Sequence, residues 1–259
     1  MEQDLILTSV ENRIASVYLN RPEKRNALSF ELVGELKSVL RKLESDPEVK
    51  VILLKARGDA FCAGADLAFL KSLQTNTYEE NLADSSHLKE LFESIYTLKK
   101  VVIAQVEGPA IAGGCGLATI CDVVFSVPEA KFGYTEVNIG FIPAIVSIFL
   151  IRKIGESKAR ELLLSGRIIT AGEALANGMV NYVCEAGEIE AKVLEYATNL
   201  VKRTSASSLS LTKELIHTVQ DLPLTDALSR AAEMNAGARA TEDCQKGIAA
   251  FLSKEKLVW

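Results

Sequence analysis

The sequence is poor in the groups that support nucleophilic, metal or disulfide chemistry. It holds two histidines, His87 and His217, both on helically patterned stretches away from the glycine-rich loops. Each reads as a surface or boundary residue, so the most common general base near neutral pH is missing. Cys62, Cys115, Cys121, Cys184 and Cys244 are odd in number and form no C-x-x-C pair. They read as reduced thiols, not as disulfides or zinc ligands, and no metal site is expected. There is no Gly-x-Ser-x-Gly elbow. The glycine cluster fails as a phosphate loop, because Gly113 is followed by Gly114-Cys115 where Lys-Ser/Thr is required. It also fails as a dinucleotide fingerprint, because Thr119 stands where a third glycine or small residue belongs.

An excess of positive charge is absent too. The net charge is −5 with both signs mixed along the chain, so no basic face for nucleic acid is expected. The longest uncharged apolar run, Ile139 to Ile151, is too short to span a bilayer and contains Pro143. The first residues, Met1-Glu2-Gln3-Asp4, have neither the basic nor the apolar region of a signal peptide. These absences lead to the expectation of a soluble, cytoplasmic protein with no nucleic-acid partner and no membrane insertion.

What is present is a core-forming α/β pattern. The chain has 259 residues, 48% of them apolar, enough to bury a large core. Residues 13–19 read as a strand. Leu28, Leu32, Leu36, Val39, Leu40 and Leu43 recur at helical spacing, and Pro47 follows. Val51-Ile52-Leu53-Leu54 and residues 101–106 are continuous apolar runs, as in strands buried on both faces. Between them, Leu88, Leu91, Phe92, Ile95 and Leu98 suggest a second helix. Residues 122–127 and 131–136 are further strand candidates, and from Ser157 the pattern is mostly helical. A largely parallel core over 1–200 with a packed helical tail over 201–259 is the expected organisation.

Two segments share a strand–small-residue loop–helix design: Phe61-Cys62-Ala63-Gly64-Ala65-Asp66-Leu67, and Gly108 to Leu117 with Gly113, Gly114 and Gly116. Small residues let a ligand approach the backbone, and the first turn of a helix offers unpaired N–H groups. Two such groups aimed at one point would form an oxyanion hole. Each loop taken alone reads equally as turn-making and tight packing. Cys115 reads as a core thiol, with no base beside it. Glu136 closes the run 131–135 and precedes an apolar stretch. There a carboxylate is either an exposed strand-end charge or a desolvated acid–base group. Asp66 fits a helix N-cap.

The motifs Asn20-Arg21-Pro22 with Asn26-Ala27-Leu28, 61–67, 108–122, 132–140 and Ala250-Phe251-Leu252-Ser253-Lys254 occur in order over the whole chain. In them the sequence resembles the crotonase, or enoyl-CoA hydratase/isomerase, superfamily. The resemblance implies an α/β spiral of β-β-α turns with a helical C-terminal trimerisation region, assembled as a trimer or a dimer of trimers. It implies that the N–H groups of Ala65 and Gly113 bind the thioester oxygen and that Glu136 moves the proton. Coenzyme A would lie near Arg25, Ala27, Ala63, Asp66 and Leu67, with Lys254 of a neighbouring subunit near its phosphates. No separate cofactor is implied, since CoA is part of the substrate.

One departure bears on the reaction. Hydratases of this family carry two glutamates, and the first falls here on Gly116. A single acid at the second position is the pattern of Δ3-Δ2-enoyl-CoA isomerases and of some branched-chain hydratases. The stretch 140–147 is most similar to methylglutaconyl-CoA hydratase-type members, which act in leucine degradation. The expected activity is hydration of a 2-enoyl-CoA, with 3-methylglutaconyl-CoA as one candidate. Isomerisation by the single glutamate is the alternative, and a non-catalytic acyl-CoA-binding subunit is an alternative of another class.

Overall fold

The computed structural model describes residues 4–66, 70–71 and 74–259. Its first element is a hairpin of β1 (Ile6–Glu11) and β2 (Ile14–Leu19), turned at Asn12 and Arg13, both at positive φ. Only Ile6 of β1 is buried, so this edge strand carries almost no apolar signal in the sequence. Helix α1 (Phe30–Ser45) is capped by Ser29 and buries Leu32, Leu36, Leu40 and Leu43 on one face. β3 (Val51–Ala56) follows. α2 (Tyr78–Thr97) opens with a capping box between Thr77 and Glu80, and β4 (Val101–Val106) is buried at all six positions.

The chain then runs through β5 (Ala110–Ile111), α3 (Gly113–Thr119), β6 (Val123–Ser126), β7 (Lys131–Gly133) and α4 (Ala144–Ile154). α5 (Glu156–Ser165), β8 (Ile168–Thr170), α6 (Ala171–Asn177), β9 (Tyr182–Val183) and α7 (Ile189–Arg203) complete the body. Six strands form one sheet in the order β1-β2-β3-β4-β6-β9, parallel beyond the first hairpin. A second sheet has the order β5-β7-β8. Successive turns of chain place a strand in the large sheet, a strand in the small sheet and then a helix, as in β4-β5-α3 and β6-β7-α4. This is the expected spiral of β-β-α turns. The parallel core agrees with its continuous apolar strands, which helices cover from outside.

α8 (Ala206–Val219), α9 (Leu224–Arg239) and α10 (Glu242–Ser253) form the tail. α8 packs on α2 and β4, and the other two pack on α8. Neither α9 nor α10 buries a residue, and Leu224, Leu228, Phe251 and Leu252 are exposed. Among the described residues no helix is long and apolar enough to cross a membrane.

Candidate active site

The site rests on a loop that the backbone could not hold without side-chain support. Arg25 and Asn26 both take positive φ, a conformation tolerated by asparagine far better than by most residues. Asn26 is fully buried. Its Oδ1 accepts from the Arg21 N–H, and its Nδ2 donates to the carbonyls of Arg57 and Ala60. Thus one amide ties 20–28 to the segment after β3. Arg21 in turn donates to Asp66 at 2.5 Å. Asp66 is buried, so its carboxylate is held in this ion pair.

The first small-residue loop is pinned from both sides. Leu28 N–H donates to the Gly64 carbonyl and Asp66 N–H to the Leu28 carbonyl, a parallel bridge. On the other side Cys62 N–H donates to Pro109 and Ile111 N–H to Cys62. This pattern uses the groups on either side of Ala65 and leaves the Ala65 N–H without a partner among the described residues.

The second loop presses against the first. A Cβ on Gly64, at φ +87°, would lie 2.9 Å from both Ala112 Cβ and the Ile111 carbonyl, and 3.5 Å from Gly113 N. A Cβ on Gly114 would lie 2.2 Å from the Cys62 carbonyl. Glycine at both places lets the two backbones meet. Ala112 has φ 52° and ψ −128°, a costly conformation for a residue with a Cβ. It turns the chain so that α3 starts at Gly113, whose N–H precedes the first intrahelical bond. The N–H groups of Ala65 and Gly113 therefore stand where the two loops touch, both unpaired among the described residues.

Glu136 faces the same space. It does not end a strand, as the apolar pattern of 131–136 suggested. β7 stops at Gly133, and Glu136 opens a 3-10 turn, Glu136–Ile139, closed by Gly140 at φ 76°. Its Oε2 is buried and has no hydrogen-bond partner among the described residues. Burial pushes its carboxyl above the usual carboxylate range, partly offset by its own backbone N–H. A cavity of about 270 Å³ joins these groups, being lined by Ala63, Ala65, Gly113 and Glu136.

Other predicted contacts lie outside that lining. Arg25 is exposed at the rim, one hydrogen bond from Ala63, whose N–H donates to the Arg25 carbonyl. Ala27 is buried, and Leu67 lies outside the described residues. Lys254 ends α10, exposed and not in the cavity of its own chain. Gly116 is buried one turn into α3, where a Cβ would lie 2.2 Å from Val146 Cγ1 and 3.0 Å from Phe92 Cε1. Val146 itself lines the cavity. The space beside Gly116 is thus already filled by a side chain from α4. Cys115 is fully buried and its thiol is pushed up to about 12 by that burial, which fits a core thiol.

Three lining residues from α2, Asp84, Ser85 and His87, went unseen in the sequence. His87, read as remote from the glycine loops, borders the cavity. Its Nδ1 meets Lys37 Nζ at 2.8 Å, its Nε2 meets the Phe30 carbonyl at 3.0 Å, and its ring stacks on Phe30 at 3.9 Å. Both nitrogens are committed, so it builds the wall. Asp84 also lines the cavity. The helical period marks a buried face through Leu91, Phe92 and Ile95, but the site lies against the less apolar turn before them.

A β-β-α spiral whose two glycine loops present unpaired N–H groups beside a desolvated acid defines the crotonase architecture. The comparisons agree. The family model "Enoyl-CoA hydratase/isomerase" matches residues 9–259. A Thermus thermophilus protein provisionally assigned as an enoyl-CoA hydratase is 46% identical, over 94% of this chain and 96% of its own length. The crotonyl-CoA hydratase of Syntrophomonas wolfei is 32% identical over 99% of this chain and 98% of its own. A crystal structure of enoyl-CoA hydratase from Mycobacterium smegmatis superposes with a TM-score of 0.93 at 27% identity, covering 99% of each chain. The chain belongs to the enoyl-CoA hydratase/isomerase family.

Proposed function

We propose that this chain hydrates 2-enoyl-CoA thioesters, with Glu136 as the proton-transfer group and the N–H groups of Ala65 and Gly113 as the oxyanion hole. The observation that carries this reading is the buried, unpartnered Glu136 Oε2 in one cavity with two unpaired backbone donors. An ionised Glu136 takes a proton from water as its oxygen bonds to Cβ. The electron pair of the double bond moves to the thioester oxygen, where the two N–H groups stabilise it. The proton then passes from Glu136 to Cα. Burial raises the carboxyl toward the working pH, which suits a group that must both take and give the proton.

Coenzyme A would cross the rim beside Ala63 and Ala27, with the exposed Arg25 facing its phosphates. Asp66 would act through Arg21 by holding the 61–66 loop. Gly116 would take part by leaving room for Val146 in the acyl wall. Exposed Leu224, Leu228 and Phe251 support packing of the tail against further copies as a trimer or dimer of trimers. That arrangement would bring Lys254 to a neighbour's ligand. Light scattering that finds only monomer at micromolar concentration would remove this part.

Among the described residues the cavity has no Lys or Arg in its lining, and Val33, Leu88, Phe141 and Ile142 make it apolar. This supports a short neutral acyl chain over 3-methylglutaconyl, whose second carboxylate would meet no cation. One observation favours isomerisation as a second reading. Val146 fills the place beside Gly116, so one acid stands alone, and one acid suffices to carry a proton from Cγ to Cα. A panel of 2-enoyl, 3-enoyl and 3-methylglutaconyl thioesters with mass-resolved products separates these outcomes. A product heavier by one water from the 2-enoyl thioester is expected. Turnover of 3-enoyl thioester alone would replace hydration with isomerisation.

A further inference from the structure

The proposed acyl cavity contains one charged group that the hydration step does not use. Asp84 stands on the wall formed by α2, beside Ser85 and one turn from His87. It is half-buried, and among the described residues it makes no ion pair or hydrogen bond. Partial burial lifts its carboxyl above the usual range, and the neighbouring His87 offsets part of that rise. Glu136 does not contribute.

Among the described residues no Lys or Arg pairs with Asp84, and His87 compensates its charge only in part. The adjoining cation is Lys37, which is buried behind His87 and bonded both to its Nδ1 and to Glu90. The ring nitrogens of His87 are occupied by Lys37 and the Phe30 carbonyl. Across the cavity, Ile139, Phe141, Ile142 and Ile145 are apolar. A carboxylate left unpaired in such surroundings is costly to keep, and it repels any second negative charge that enters.

Resting on the reading that this cavity takes the acyl group, we infer that Asp84 is a specificity-determining residue that excludes acyl chains ending in a carboxylate. The substrate class is then an acyl-CoA with an uncharged tail. The carbonyl end faces Ala65 and Gly113, and the tail runs past Asp84 along α2. Like-charge repulsion in a partly desolvated site is worth about tenfold in affinity or more.

The test is binding of two unreactive thioesters of equal chain length, pentanoyl-CoA and glutaryl-CoA, measured by calorimetry on the full chain. The wild type is expected to prefer pentanoyl-CoA. Asp84→Asn should shrink that preference by about tenfold, and Asp84→Glu, which keeps the charge, should retain it. Ser85→Lys, at an exposed lining position, supplies the missing cation and should raise glutaryl-CoA binding relative to pentanoyl-CoA. That variant stands in if Asp84→Asn fails to fold. An unchanged preference in Asp84→Asn, a loss in Asp84→Glu equal to that in Asp84→Asn, or no gain in Ser85→Lys overturns the inference. Failure of both thioesters to bind overturns it together with the acyl-cavity reading. An intact preference in a chain that hydrates no enoyl-CoA overturns only the proposed reaction.

Discussion

The two halves of the cavity are built from different materials. The donor half is backbone. The 61–66 and 108–114 loops are tied by hydrogen bonds on both sides and meet where a Cβ on Gly64 or Gly114 would collide. The acid half is side chain. Glu136 sits on a single 3-10 turn, its Oε2 unbonded, and Ile139, Phe141 and Ile142 beside it are largely exposed. In the proposed reaction the rigid half would fix where charge develops on the thioester oxygen, a task common to every reaction of an enolate. The loosely held half would then decide which proton moves and which acyl group fits.

The strongest way to break this division is at the acid. Glu136→Gln keeps shape and removes the ionisable group, and hydration should fall by about 10²–10⁴-fold with acyl-CoA binding largely retained. Steady-state rates and calorimetry on the same preparation check it. Retention of a third of the rate would take Glu136 out of the mechanism. The donor half is tested next. Proline at 113 is unsuitable, because Ala112 before it has ψ −128°, away from the extended values that a residue preceding proline takes. An amide-to-ester replacement at Gly113 deletes the N–H alone and should cost about 10²–10³-fold in rate. A fully active ester variant would show that the donor is not used.

The third prediction sharpens the contrast by trying to convert one acid into two. Gly116→Glu drives a side chain into Val146, and overpacking of this kind typically costs about 1–3 kcal/mol. Thermal denaturation should show the loss, and Val146→Ala in the same chain should restore part of it. If the double variant gains hydration of crotonyl-CoA, position 116 faces the acyl cavity once the valine is gone. A single variant as stable as the parent would mean that α3 and α4 do not pack as described.

The smallest effect concerns stability. The Glu136 carboxyl lies above the ordinary carboxylate range in the fold, so the folded chain holds this proton more tightly than the unfolded one. Its contribution favours the fold at low pH and is lost as pH rises from the ordinary range through the raised value. Glu136→Gln removes that loss. The variant should melt above the parent at neutral pH, with the gap closing as pH falls below the ordinary carboxylate range. A variant less stable than the parent at neutral pH would contradict the buried, unpaired state of the carboxylate.

The sequence revealed much of the rigid half and little of the other. Buried parallel strands are written as unbroken apolar runs, as in 51–54 and 101–106. Glycine and alanine clusters mark the places where backbones meet. Both signals are local. The wall from α2 is not local: Asp84 and His87 sit on the polar side of an amphipathic pattern, and only the packing of α2 on α1 brings them to the cavity. Val146 is likewise an ordinary helix residue until α4 folds over Gly116. The strand reading of 131–136 failed because apolar alternation does not register the turn after Gly133. β1 was missed because one face of an edge strand is solvated and the other buries only Ile6.

The central claim is that Glu136 adds water to an enoyl thioester held by the two backbone donors. It is tested most directly by incubating crotonyl-CoA in oxygen-18 water with the parent and with Glu136→Gln, and resolving the products by mass. The account predicts a hydroxyacyl-CoA carrying the label from the parent and almost none from the variant. Labelled product at equal rates from both, or no labelled product from the parent, would contradict it.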